Sequence, residues 1–256
     1  MKELRRLWCA LDGMELAGLD PRLYVQDIEE RVKMDWRTAE RPYGGRFWSA
    51  APWRDTLEIA VTFMVKERDC GKRQQVLQRV NAWARAGWLT VSTRPDLRIF
   101  VICTQPAAGG SFAWSAEEQL VFAACGSARW QERYPVQAVL QGSDASAGIR
   151  PLGNRDCCLE AEVKNTSEGR IQRIRLTVNG RMMAFEGLGL DRKKKLRIYY
   201  DPQHVLHAEA DDVSCLHCRT ADSADDLLLS PGTENTVRLT ADGPCEAVLY
   251  ARGEYD

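Results

Sequence analysis

Every tryptophan of the chain, at positions 8, 36, 48, 53, 83, 88, 114 and 130, lies in its first 130 residues, and all three histidines, His204, His207 and His217, lie in its last 53. Large indoles gather where they share a core, so this asymmetry predicts two cores rather than one. The 256 residues suffice for both, since a typical domain holds about 100–150 residues. The boundary is expected near Gln131–Pro135, giving domains 1–132 and 133–256, because Val136-Gln-Ala-Val-Leu140 reads as a strand of the second domain. The polar, glycine-bearing stretch Gly142-Ser-Asp-Ala-Ser-Ala-Gly148 is the other candidate break, or else a long loop.

The halves also differ in periodicity. In the first, Val76, Leu77, Val80, Trp83 and Ala84 recur at spacings of three, four and seven, which predicts a helix over 72–86. Asp69 is its expected N-cap and Gly87 its expected C-cap. Strands are expected at 56–66, where apolar residues alternate with polar or small ones, and at 88–92, 98–104 and 119–124. In the second half, ten short strands are expected at 136–141, 157–164, 171–179, 182–186, 195–200, 204–208, 213–219, 226–229, 235–240 and 245–251. Asn179-Gly180, Asp201-Pro202, Pro231-Gly232 and Asp242-Gly243-Pro244 punctuate them as turns. The fold class is therefore mainly β, with one N-terminal helix and a C-terminal β-sandwich or jelly roll.

Composition excludes several function classes. Lys and Arg total 35 against 36 Asp and Glu, a net charge of −1. No global field draws nucleic acid or an anionic membrane to the chain, and no run of about 18 apolar residues suggests membrane insertion. Met1-Lys-Glu-Leu-Arg-Arg6 looks like the start of a signal peptide, but Asp12 and Glu15 interrupt the apolar stretch after it and no cleavage site closes it. The expectation is a protein made in the cytoplasm, with its nine scattered cysteines as reduced, mostly buried thiols.

Motifs for chemistry are scarce. His204-x-x-His207 followed by Cys215-Leu-His-Cys218 has the composition of a zinc set. Against metal, 213–219 reads as a strand, where residues i and i+3 face opposite ways. The same cysteines lack the following helix that a redox CxxC uses to lower a thiol pKa. No Gly-x-Ser-x-Gly elbow and no phosphate-binding loop occurs, and Asp211-Asp212 and Asp225-Asp226 read as solvated turns. Arg192-Lys-Lys-Lys195 falls between two strands and reads as a solvated hairpin turn rather than a nucleic-acid contact. No catalytic residue, metal or cofactor is expected. One segment does point to function: Asp35–Arg54 carries Trp36, Tyr43, Arg46, Phe47, Trp48 and Trp53 around Gly44-Gly45. Gly-Gly suits a hairpin turn, and aromatics with arginine are enriched at interface centres. These six residues are the candidate subunit interface, the alternative being a hairpin packed on its own core.

Larger blocks resemble the distal tail (Dit) proteins of long-tailed bacteriophages. The first half contributes Arg54-Asp-Thr-Leu-Glu-Ile-Ala-Val-Thr-Phe63, Val80-Asn-Ala-Trp-Ala84 and Gly87-Trp-Leu-Thr-Val-Ser-Thr-Arg-Pro95. The second contributes Leu176-Thr-Val-Asn-Gly180, Met183-Ala-Phe-Glu-Gly-Leu188, Leu196-Arg-Ile-Tyr-Tyr200 and Leu228-Leu-Ser-Pro-Gly232, with a Ser-Pro-Gly-x-x-Asn turn that departs slightly from the family's form. The resemblance implies a β-barrel-like N-terminal ring domain with one helix, a galectin-like C-terminal jelly roll and no catalytic residues. It also implies a homohexameric ring in the virion tail, with the tail tube, the tail-tip hub and a receptor-binding protein as partners. A carbohydrate-binding module is the alternative. The second half offers it no Trp and only Tyr134, Phe185, Tyr199, Tyr200, Tyr250 and Tyr255 as an aromatic platform.

Overall fold

A computed structural model describes residues 6–33, 38–40, 46–48, 56–109, 116–125 and 129–255. The chain divides into two units, 1–129 and 130–256. Among the described residues there is one α-helix, and it is not long and apolar enough to cross a membrane.

The first unit contains strands β1 (Cys9–Leu11), β2 (Met14–Glu15), β3 (Leu23–Lys33), β4 (Thr38–Glu40), β5 (Arg46–Trp48) and β6 (Thr56–Val65), helix α1 (Cys70–Trp83), then β7 (Gly87–Val91), β8 (Arg94–Gln105) and β9 (Ala116–Ala124). Seven strands pair antiparallel in the order β2-β1-β7-β8-β9-β6-β3. The alternation seen in β6 sends Ile59, Val61, Phe63 and Val65 to one face, where Leu120, Phe122, Val101 and Leu89 join them. Helix α1 covers that face with Val76, Leu77, Val80 and Trp83. Trp83 meets Phe122 edge-on with ring centroids 6.2 Å apart, and its indole N–H donates to the Met14 carbonyl at 3.1 Å. Asp69 caps the helix as expected, accepting from the Lys72 backbone N–H at 2.8 Å. The C-terminal end differs: Ala84 caps with φ −73°, and Gly87 already begins β7. The sheet curls strongly. Arg94 on β8 donates to Glu30 on β3 at 3.0 Å, although three strand spacings would separate them by about 14 Å in a flat sheet.

The second unit contains β10 (Trp130–Glu132), β11 (Val136–Ile149), β12 (Cys157–Asn165), β13 (Ile171–Val178), β14 (Arg181–Leu190), β15 (Lys195–Tyr200), β16 (Leu206–Ala210), β17 (Val213–Ser214), β18 (Leu228–Leu229), β19 (Asn235–Ala251) and β20 (Glu254–Tyr255). Its spine is the pair β11–β19, antiparallel from Val136↔Ala251 to Ile149↔Asn235 with a bulge between Gly142 and Asp144. The second half of β19 pairs with β12, while its first half pairs with β13. β19 thus joins β12 to β13 in one nine-stranded sheet, which folds over a core that includes Leu140, Leu159, Val163, Leu176, Phe185, Ile198, Leu239 and Leu249.

Three expectations fail here. Residues 142–148 are not a loop but part of β11, which continues through a bulge between Gly142 and Asp144, a device that bends a strand without ending it. The strands expected at 235–240 and 245–251 are one strand, β19, running through Asp242-Gly243-Pro244. Residues 213–219 are a two-residue strand followed by a 3-10 turn, Leu216–Cys218. The Asn179-Gly180 turn is as read: both residues have positive φ, 48° and 85°, and join Val178 to Arg181 as a two-residue hairpin.

Candidate functional site

The aromatic segment 35–54 lies in sequence between two paired strands. β3 and β6 pair from Leu23↔Val65 to Lys33↔Thr56, so residues 34–55 are an insertion at the hairpin's end. Within it, β4 and β5 form a two-stranded sheet of their own, pairing Thr38↔Trp48, Ala39↔Phe47 and Glu40↔Arg46. Of the six candidate interface residues, Arg46, Phe47 and Trp48 form β5, while Trp36, Tyr43 and Trp53 lie outside the described residues. β3 ends this path of seven strands, and among the described residues no strand pairs with its other edge. That edge is blunted by a bulge between Val25 and Asp27 and by exposed Asp27, Glu29 and Arg31, which discourages promiscuous strand addition.

The histidine and cysteine constellation does not come together as a site. The strand argument against zinc falls, since the Cys218 N–H donates to the Cys215 carbonyl at 2.9 Å in a turn between the two cysteines. The side chains nonetheless engage elsewhere. His207 stacks on Tyr199 at 5.1 Å and 11°, and His204 Nε2 sits 3.8 Å from Glu254. Among the described residues no three His, Cys, Asp or Glu side chains are grouped to hold a metal ion. Burial pushes the Cys215 thiol up to about 11, the opposite of what a redox thiolate needs. Cys9, Cys157 and Cys245 are buried likewise, whereas Cys70 is exposed at the start of α1.

Three of the four residues of the basic run are engaged in ion pairs. Arg192 meets Glu168 at 2.7 Å, Lys194 meets Asp211 and Lys195 meets Glu162 at 2.6 Å. Asp211 and Asp212 form a tight turn with positive φ between β16 and β17, and Asp226 pairs with Arg181.

Two features escaped the sequence reading. The first is Asn235, fully buried at the end of the Ser-Pro-Gly-x-x-Asn turn. Its amide donates to the carbonyls of Ser230 (2.9 Å), Thr233 (3.0 Å) and Ile149 (3.3 Å), and its oxygen accepts from the Ser230 N–H (2.9 Å). It ties its own turn to the β11 end. The second is the outer face around Tyr199, where β12, β15, β16 and β19 bring charged and aromatic side chains side by side.

No protein-family model matches the chain, and no curated protein does. Solved structures do match. The SPP1 Dit (gp 19.1) protein, described as a paradigm of the hub adsorption apparatus in phages infecting Gram-positive bacteria, superposes with a TM-score of 0.61 at 12% identity. The alignment covers 96% of this chain and 98% of that one, so it spans both units. The fold is that of a phage distal tail protein. A chain of the phage p2 baseplate in its activated conformation with strontium gives a TM-score of 0.54 at 6% identity, covering 96% of this chain and 97% of its own. One of the Phage P2 baseplate with calcium gives 0.51 at 6%, covering 97% and 98%. The distal tail likeness therefore lies in the backbone course of the whole chain, not in shared side chains.

Proposed function

We propose that the protein is a structural, non-catalytic component of a phage or prophage tail tip, a distal tail protein whose copies form a ring joining the tail tube to the baseplate hub. The observation that carries this reading is the match to SPP1 Dit over 96% of the chain, both units included. A ring of six copies, tail tube and hub proteins as neighbours, a receptor-binding protein as a further partner and a place in the virion tail after synthesis in the bacterial cytoplasm follow from the resemblance.

Self-association is assigned to the first unit. A closed ring needs a heterologous interface, in which one patch meets a different patch on the next copy. The insertion at 34–55 lies between β3 and β6, and its sequence is dense in the aromatic and arginine residues that centre interfaces. The blunted β3 edge favours this segment over simple strand addition as the contact. Sedimentation velocity of the full chain at high concentration tests this. The double variant Trp48→Ala/Trp53→Ala is expected to associate more weakly than the parent at an unchanged melting temperature. Equal association by both proteins would remove residues 34–55 from the interface.

A further inference from the structure

We propose that the open edge of β11 in the second unit, over Val136–Gln141, takes up an extended, uncharged segment of another protein as an added strand. β11 pairs along its whole length with β19. Among the described residues no strand pairs with its other side. About half of its backbone N–H and C=O groups therefore face outward without a strand partner. Such a row is a template for another chain.

The other edges of this sheet are covered or short. β14 is covered where the Thr220 N–H donates to the Ala184 carbonyl at 3.0 Å and the Ala224 N–H donates to the Met182 carbonyl at 2.7 Å. β17, at the opposite end, holds two residues. β11 is instead a strand of 14 residues without Lys, Arg or Pro. Its bulge between Gly142 and Asp144 divides it in two. Beyond the bulge, Asp144 is held by Arg238 at 2.7 Å. Before it, Val136-Gln-Ala-Val-Leu-Gln141 carries no charge.

The side chains of this stretch show the same opening. Leu140 is buried, whereas Val136 and Ala138, on the same face by the strand period, are only partly buried against the core. Their cross-strand neighbours Ala251 and Leu249 are wholly buried. The core is thus sealed by β19 and left half-open along β11. On the opposite face Val139 is 54% exposed.

These features define the occupant. An extended backbone presents donors and acceptors at the spacing of a strand edge. Its side chains alternate, so that one apolar set covers Val136 and Ala138 while an aliphatic side chain of the other set lies beside Val139. With no charge on the edge, binding is insensitive to salt. A second copy of β11 has a suitable pattern, but pairing two β11 edges needs a two-fold axis between the copies, which neighbours in a closed ring do not share. The choice of another protein over a second copy rests on the ring reading; the open edge does not.

The test is amide hydrogen exchange of the full-length protein, read by NMR, without and with a short capped peptide that alternates valine and threonine. In the free protein every second amide of residues 136–141 should exchange rapidly. Saturating peptide should slow those amides at least about tenfold, at low and high salt alike. A fully N-methylated form of the peptide should bind at least about tenfold more weakly. Val139→Lys adds the charge that guards natural edges at an exposed position, and should weaken the peptide at an unchanged melting temperature. Val213→Lys, exposed on β17, should leave binding unchanged. The proposal is overturned by protection centred elsewhere, by none at millimolar peptide, by equal binding of the methylated peptide, or by a Val139→Lys variant that binds like the parent. Protection of residues 136–141 that rises with protein concentration in the absence of peptide also overturns it, since a second copy then holds the edge. The peptide titration does not depend on ring formation, which sedimentation tests separately.

Discussion

Replacing Trp83 with alanine probes the link between the first unit's helix and its sheet. Trp83 is 8% exposed, lies edge-on to Phe122 and donates its indole N–H to the Met14 carbonyl. Truncating a buried Trp to Ala costs about 3–5 kcal/mol through lost transfer energy and the cavity left behind. The hydrogen bond adds little, about 0.5 kcal/mol, because Met14 is 57% exposed and water can replace the donor. The expected loss is therefore roughly 4 kcal/mol, a large share of the ~5–15 kcal/mol that holds a domain together. At a few degrees per kcal/mol for a domain of this size, the melting temperature of the first unit should fall by roughly 10–20 °C. Denaturant unfolding followed by tryptophan fluorescence reads mainly this unit, since seven of the eight tryptophans lie in it and Trp130 alone belongs to the second; Trp130→Phe as the common background makes the signal selective. Trp83→Phe, which keeps a ring against Phe122, should cost far less than Trp83→Ala. An unchanged midpoint for Trp83→Ala would show that the helix does not pack as described, and equal losses for both variants would show that the N–H bond outweighs the packing.

Further expectations concern single residues. Asp20 is buried and accepts from Arg22 Nε at 2.7 Å, and this hydrogen bond above all holds its pKa down to about 2. Because the folded value lies below the ~3.9 of an unfolded chain, the stabilisation is full above pH ~4 and gone below pH ~2. Asp20→Asn should cost roughly 1–2 kcal/mol at neutral pH, with the gap to wild type closing across that window in pH-dependent unfolding; a gap constant with pH would refute the ion-pair account. Asn235→Ala strands the buried carbonyl of Ile149 and removes the turn's bonds to Ser230 and Thr233, and should destabilise the second unit by about 2 kcal/mol in circular-dichroism melts, whereas a loss below about 1 kcal/mol would mean that water takes over these bonds. At Gly153, with φ +104°, a Cβ would stand 2.4 Å from the Glu254 carbonyl oxygen, so Gly153→Ala should cost more than about 1 kcal/mol in the same assay.

Much of the fold was legible because its strands keep a strict period of two. β6, β12 and the halves of β19 each show it, and α1 shows the helical period with its Asp69 cap. β3 was missed for a physical reason. The bulge between Val25 and Asp27 shifts the phase, so Leu23 and Val25 fall out of step with Ile28, and the charges of an edge strand mask the rest. β1, β2, β10 and β20 are too short to carry any period. The breaks read into 142–148 and 242–244 reflect the same limit, since glycine and proline mark a bend in a long strand as readily as its end. For the sites, His204, His207, Cys215 and Cys218 had the composition of a zinc set, yet cross-strand register makes His207 a stacking partner of Tyr199. Pairings between strands distant in sequence, such as Arg197 with Glu162, have no local signature.

Electron cryomicroscopy of the assembled protein, alone or on a tail tip, addresses the ring directly. The account predicts a closed ring of six copies whose contacts run through the first unit, with residues 34–55 of each copy lying on its neighbour. A particle that does not close, or a ring held through the second unit with residues 34–55 folded on their own subunit, would contradict it.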